Sequence, residues 1–280
     1  MTLRSLALAS VATVALSTGA SLAADLPMRT AAPAPMYAAV PVFTWTGFYV
    51  GVQAGGVWGR GDATDAQGPG LAAATQTFNL RNDGFLGGLH AGYNFQLSQS
   101  WVFGFEVEGN FGSADGTVRG PNRDGAGVIL ATGGVLMQRD LNWMASARAR
   151  LGYLITPHTL LYIAGGVTAA DHDYAGTHTY TVPVVNQCPG VANCSRVSFG
   201  DTSFGWNLGA GLEMHLTSNW RVRAEYLYHR LEGKTATALP TFNVGPNRVD
   251  YRFDDTTYHV ARVGLSYAFG RPAAPILARY

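Results

Sequence analysis

The sequence predicts an all-β chain: an eight-stranded antiparallel up-and-down transmembrane β-barrel with short periplasmic turns at one end and four long surface loops at the other. Three observations predict it. Segment after segment alternates apolar and polar residues with period two, which is the side-chain period of a strand. The connections between segments alternate between short and long. No stretch after the first twenty or so residues is apolar enough to cross a bilayer as a helix, so strands must do the crossing, and lipid then requires the sheet to close.

The alternation is clearest from Phe204 to Leu216. Phe204, Trp206, Leu208, Ala210, Leu212, Met214 and Leu216 share one face, and Gly205, Asn207, Gly209, Gly211, Glu213 and His215 share the other. A soluble barrel would enclose its apolar face and wet its polar one. A continuous apolar face with aromatic residues towards its ends, backed by glycine, amide and charge, is instead the pattern of a strand with lipid outside and a packed polar interior.

In chain order, Met1–Ala23 reads as a secretory signal peptide: Arg4, an Ala/Leu/Val run, then Ser21-Leu22-Ala23 as a small-residue cleavage site. Residues 24–43 carry Pro27, Pro33, Pro35 and Pro41 and read as an extended Ala/Pro-rich periplasmic arm. The barrel is assigned to 44–269. Its first strand, about Thr46 to Trp58, turns Phe48, Val50, Val52 and Ala54 outward and Tyr49 and Gln53 inward. The second, Phe85 to Leu97, turns Phe85, Leu89, Ala91, Tyr93 and Phe95 outward and His90 and Asn94 inward.

After the Ser98-Gln99-Ser100 turn, the third strand places Trp101, Phe103, Phe105, Val107 and Phe111 against Glu106, Glu108 and Asn110. The fourth, Trp143 to Tyr153, places Ala145, Ala147, Ala149 and Leu151 against Ser146, Arg148 and Arg150. Thr156-Pro157-His158 turns into a fifth strand, Leu160 to Ala169, whose facing the sequence leaves open. The sixth is Phe204 to Leu216. Thr217-Ser218-Asn219 leads to the seventh, with Trp220, Val222, Ala224, Tyr226 and Tyr228 opposite Arg221, Arg223, Glu225 and His229. The eighth, about Tyr258 to Phe269, sets Ala261, Val263, Leu265, Tyr267 and Phe269 against Arg262 and Ser266.

The stretches 59–82, 112–140, 171–202 and 231–257, rich in Gly, Asp, Asn, Thr and Pro, are expected as surface loops, longer than compact soluble domains normally carry. About ten residues per strand at ~3.4 Å each, tilted near 40°, span ~26 Å, the height of an outer-membrane apolar band. Aromatic residues fall at both expected rims: Tyr93, Phe95, Trp101, Tyr153 and Trp220 beside the short turns, and Trp58, Phe85, Phe111, Trp143, Phe204 and Trp206 beside the loops.

Eight strands leave room inside only for side chains. The inward charges are Glu106, Glu108, Glu213 and Glu225 with Arg148, Arg150, Arg221, Arg223 and Arg262, nearly balanced and expected to pair across the lumen; an ion pathway is the alternative. The formal net charge is +1, and no basic cluster argues for nucleic acid. Cys188 and Cys194, the only cysteines, flank Pro-Gly-Val-Ala-Asn in one expected loop and, in an oxidising compartment, are expected as a disulfide.

Catalytic signals are weak. Asp171-His172-Asp173 and Asp254-Asp255 are acid and histidine pairs in expected loops. Of the strand histidines, His90, His215 and His229 face inward and His259 outward. No metal cluster or phosphate-binding glycine loop is read, so no cofactor is expected.

The motifs Thr44-Trp45-Thr46-Gly47-Phe48-Tyr49-Val50-Gly51, Ala23-Ala24-Asp25-Leu26-Pro27, Glu225-Tyr226-Leu227-Tyr228 and Val263-Gly264-Leu265-Ser266-Tyr267-Ala268-Phe269 resemble the outer-membrane immunogenic, opacity-type barrels of alphaproteobacteria. The resemblance implies an abundant surface-exposed barrel in the outer membrane of a Gram-negative bacterium. It further implies a role in envelope integrity or host contact, and no catalytic residues. A small porin-like diffusion channel is the alternative, and a lipid-modifying enzyme a more distant one.

Partners expected on this reading are outer-membrane lipid and lipopolysaccharide, the barrel-assembly machinery, and host or envelope proteins met through the loops. Such chains usually end on the aromatic residue closing the last strand. Here that residue is Phe269, preceded by Tyr267, and the chain continues through 270–280 to Tyr280; Phe269 is expected to serve as the assembly signal.

Overall fold

The computed structural model describes residues 44–67, 75–123, 126–179, 194–217, 219–238 and 249–269. The expected signal peptide, the arm, the 270–280 extension with Tyr280, and Cys188 lie outside them. The described residues form β1 (Gly47–Gln67), β2 (Thr75–Gln96), β3 (Trp101–Arg123), β4 (Ile129–Thr156), β5 (Thr159–Thr179), β6 (Cys194–His215), β7 (Trp220–Leu231), β8 (Lys234–Ala238), β9 (Val249–Phe253) and β10 (Thr256–Ala268).

Strands β1 to β7 and β10 make the ring. Each pairs antiparallel with its chain neighbour, β7 pairs β10, and β10 closes on β1 from Tyr49↔Ala268 to Arg60↔Thr257. The small β8–β9 hairpin joins the ring above β10, where β9 takes over the edge of β1 from Ala63↔Phe253 to Gln67↔Val249. The fold is an eight-stranded antiparallel ring, as the alternation predicts.

At the end with short turns, side chains stand in for missing backbone partners. Ser98 Oγ accepts the N–H groups of Ser100 and Trp101 at 3.3 and 3.2 Å, and Thr217 Oγ1 accepts that of Trp220 at 3.3 Å. The fifth strand, left open by the sequence, points Leu161, Ile163 and Val167 outward and Leu160, Tyr162, Ala164 and Thr168 inward.

The strand boundaries differ from expectation at the other end. Much of 59–82, 112–140, 171–202 and 231–257 is not loop; β1 to β6 run 21 to 28 residues and continue the ring upward. The reason is a change of solvent. Below Trp58, Phe85, Phe111 and Phe204 the large apolar side chains point out. Above them Ala63, Leu80, Val135, Met137, Tyr174, Tyr251 and Phe253 point in and pack together, while Asp62, Thr77, Arg81, Thr117 and Arg119 face outward. The upper tier is therefore built as a water-soluble barrel standing on a membrane-spanning one.

A bulge marks the boundary. Against β5, β4 carries one extra residue, Asn142, between Leu141↔His172 and Trp143↔Asp171. Its amide donates to Asp173 Oδ2 at 3.0 Å and Asp171 Oδ2 at 3.4 Å.

Candidate functional site: a filled lumen

Consecutive strand residues face opposite sides, so only alternate residues reach the lumen. There the side chains form layers. At the periplasmic end Trp45, fully buried, sits with Val102, Leu154, Leu160, Tyr162 and Ala164. Its indole N–H donates to Pro157 O at 3.1 Å, the guanidinium of Arg221 lies 4.8 Å from its ring, and His215 meets it edge-on at 4.5 Å. Trp45 precedes the first strand and has no place in the alternation, so the periodicity gave no sign of it as the floor of the barrel.

The next layer holds the nine predicted lumen charges, all buried. Register places them. Glu106 lies opposite Arg148, Gly104 opposite Arg150, Glu213 opposite Arg223 and Glu225 opposite Arg262. Glu106 pairs with Arg148, with Arg223 at 2.6 Å and with Arg150 at 3.3 Å, and accepts the Tyr49 hydroxyl at 2.7 Å. Glu108 pairs with Arg148 at 2.9 Å and with Arg262 at 2.5 Å.

Glu225 takes the Arg262 Nε–H at 2.8 Å and Arg148 at 3.3 Å, and Glu213 takes Arg150 at 2.5 Å and Arg221 at 3.3 Å. The result is one continuous network, not a set of separate pairs. Sequence reasoning missed its neutral members. Tyr49 bridges Arg150 and Glu106, Gln53 joins Asn110 at 2.6 Å, and Tyr162 carries the Arg150 guanidinium 4.0 Å from its ring. The inward facing of Tyr49 and Gln53 is readable and that of Tyr162, on the strand the sequence leaves open, is not; the pairing of all three needs the circumferential register. Gly92 makes room for Tyr49, because a Cβ there would strike its hydroxyl.

Above the charges lies an apolar layer of Val57, Leu86, Leu141, Met144, Leu227, Leu231, Tyr258 and Val260. Then comes a polar layer where fully buried Arg139 donates to Asn82 Oδ1 at 2.8 Å and to Thr256 Oγ1 at 2.5 Å. The upper apolar cluster closes the stack.

The acid and histidine pairs do not converge. Asp171 and Asp173 face outward onto Asn142, whereas His172 faces inward and meets the Tyr258 hydroxyl at 2.9 Å. Asp254 and Asp255 are taken up by Arg252 and Arg230. His90 meets Ser266 at 2.7 Å and His229 meets Thr168 at 3.1 Å, both in the lumen, while His259 is on the outer wall with Tyr226. Among the described residues no group of three or more His, Cys, Asp or Glu side chains could hold a metal ion.

Cys194 opens β6 and is disulfide-bonded; Cys188 is outside the described residues. Phe269 closes the barrel at its lower rim. Its N–H donates to Phe48 O at 2.8 Å and its ring lies 5.0 Å from Tyr267 and 5.7 Å from Phe48.

Known proteins agree with this architecture. The family model described as outer membrane protein beta-barrel domain matches residues 12–269. The 31 kDa outer-membrane immunogenic protein of Brucella melitensis is 28% identical over 242 residues, covering 81% of this chain and 85% of the relative. The 22 kDa outer membrane protein of Rhizobium leguminosarum is 28% identical, covering 69% and 68%. Among solved structures, the outer membrane protein OprG from Pseudomonas aeruginosa has 11% identity and a TM-score of 0.44, covering 82% of this chain and 99% of its own. With a family model spanning nearly the whole barrel and relatives named as outer-membrane proteins, the chain belongs to the outer membrane protein beta-barrel domain family and is an outer-membrane protein of a Gram-negative bacterium.

Proposed function

We propose that this protein is a non-enzymatic structural component of the outer membrane that supports envelope integrity and displays its outer hairpins at the cell surface. The observation that carries the reading is the filling of the lumen. Trp45, the Glu/Arg network, the Leu/Met layer, the Arg139 layer and the upper aromatic cluster succeed one another from floor to roof. A barrel that spends its interior on packing has its outer wall and upper tier left for contact with other molecules. The name of the Brucella relative, an outer-membrane immunogenic protein, supports the surface-display half. Separation of the acid and histidine residues onto opposite faces supports the non-enzymatic half.

The partners of this role are outer-membrane lipid and lipopolysaccharide around the wall, the barrel-assembly machinery reading Phe269, and host or envelope proteins at the surface hairpins. Deletion and complementation test it. Cells lacking the protein are expected to become sensitive to bile-type detergents and to large antibiotics, and to regain resistance with the wild-type gene. Unchanged sensitivity would contradict the envelope role.

A further inference from the structure

The outer wall just above the upper aromatic rim carries two outward-facing rows, read from strand register. In the lower row Tyr228 lies opposite His259 and His259 at the level of Trp58. In the upper row Arg230 lies opposite Thr257, Thr257 opposite Arg60, and Arg60 opposite Arg81. Four adjacent strands, β7, β10, β1 and β2, thus present three guanidiniums along one line perpendicular to the strands, which the strand tilt slants across the wall, with Arg60 and Arg81 above Arg230. With strands ~4.8 Å apart, the row spans ~14 Å.

The Arg60/Arg81 pair is anomalous. Like charges directly opposite one another on neighbouring strands destabilise a sheet unless something neutralises them. Among the described residues neither arginine forms an ion pair, and Arg81 Nε–H donates only at 3.4 Å, to Asn79 Oδ1. Of the four surrounding acids, Asp254 and Asp255 are ion-paired with other arginines, and Asp62 and Asp83 flank the pair on the same outward face. Asp255 holds Arg230 at 3.1 Å, Asp254 holds Arg252 at 2.6 Å, Asp62 accepts the Asn79 amide at 3.2 Å, and Asp83 lies a step below Arg81, at the level of Trp58. Asp62 and Asp83 each lie one step along the strand without closing an ion pair on either guanidinium, and an anion shared by Arg60 and Arg81 would meet both directly.

Flat rings lie below. Trp58 rests over Gly56, where a Cβ would be 3.0 Å from the indole, and stays 47% exposed. Trp206, opposite Arg230, packs against Tyr228 at 5.5 Å with the rings tilted by 49°, Tyr228 meets His259 at 5.4 Å, and the Tyr226 hydroxyl meets His259 Nδ1 at 2.5 Å. Below these rings the wall is apolar. A fitting ligand carries phosphate at the top, flat sugar faces in the middle and acyl chains beneath.

We propose that Arg60 and Arg81, with Arg230, Trp58, Trp206 and Tyr228, form a binding site for the phosphorylated sugar headgroup of an outer-leaflet glycolipid. The site rests on the reading of the chain as an envelope protein and gives that role a ligand. The arginines take phosphate by charge-assisted hydrogen bonds and the rings take the sugar. Free phosphate would gain nothing from the rings, and a glycerophospholipid brings no sugar face.

The test titrates the full-length protein in detergent micelles with lipopolysaccharide, dephosphorylated lipopolysaccharide, phosphatidylglycerol and inorganic phosphate. Lipopolysaccharide should bind most tightly. The double variant Arg60→Gln/Arg81→Gln should weaken it about tenfold or more, as should dephosphorylation of the ligand, and Trp58→Ala should weaken it further. Arg196→Gln, an outward arginine at the top of β6, should leave binding unchanged, and every variant should keep the heat-dependent gel shift of a folded barrel.

Undiminished binding by the folded double variant would overturn the site, as would phosphatidylglycerol or inorganic phosphate binding as tightly as lipopolysaccharide. The two readings fail separately. An unaffected deletion strain would count against the envelope role, even where the purified protein still binds lipopolysaccharide through Arg60 and Arg81.

Discussion

Glu106 receives three guanidiniums and a tyrosine hydroxyl in a space closed to water. Removing its charge strands buried cations, which costs about 3–5 kcal/mol, although the intact network adds little net stability over well-packed apolar residues. Glu106→Gln should therefore lower the unfolding free energy read from urea titration of the barrel refolded in vesicles by that amount, and a value within error of wild type would contradict it. Trp45→Ala removes the floor and should cost about 3–5 kcal/mol as a large-to-small core change, read by the same titration. Outside the membrane, Asp140 lies opposite Asp115 and Asp173. Partial burial and then Asp115 hold its carboxyl above the ordinary value, against a hydrogen bond from the Gly116 backbone, and Asp173 adds to the rise. A carboxyl raised in the folded state stabilises the fold below its unfolded pKa, and that contribution is lost as pH rises through the folded one. Asp140→Asn should thus be more stable than wild type at pH 7 and lose part of the difference in stability between pH 7 and pH 4. An identical pH profile in the variant would count against this account.

Each strand of the ring obeys two solvents. In the membrane the outer face is apolar, and above it the inner face is, so the same chain reverses its pattern at the rim. This explains what could be read in advance. The lipid-facing halves were legible because lipid demands an unbroken apolar face: Phe204 to Leu216 matches its assigned facing residue by residue. The upper halves were not, because Asp62, Ala63 and Thr64, or Gly116, Thr117 and Val118, alternate over short runs with Gly and Thr that resemble loop sequence. The facing of β5 could not be read because Leu160 and Leu161 are both apolar, and Ala164, Gly165 and Gly166 give no contrast. The candidate charges were legible as inward residues, whereas Trp45, Tyr49 and Tyr162 required three-dimensional register. The reversal is testable by one substitution on each tier. Ile163→Arg, outward on the membrane-spanning part of β5, should cost about 2–4 kcal/mol, the range for a lipid-facing arginine near the midplane. Thr117→Arg, outward above the rim, should stay within about 0.5 kcal/mol of wild type. Equal penalties at the two positions would refute the change of solvent.

As a whole, the molecule is a closed ring whose interior is consumed by side chains at every level from Trp45 to the cluster of Tyr174, Tyr251 and Phe253. No single layer carries the closure. Loss of Trp45 leaves the Glu/Arg network above it, and loss of one ion pair leaves the Leu/Met layer. The proposed role therefore places the function on the outside of the barrel, in the wall that meets lipid and the hairpins that meet the surroundings. Single-channel recording of the refolded protein in planar bilayers tests this claim most directly. Wild type and Trp45→Ala alike should insert without steady current steps, because the layers above the floor remain in place. Reproducible open-channel steps from the wild-type protein would contradict it and move the function into the lumen.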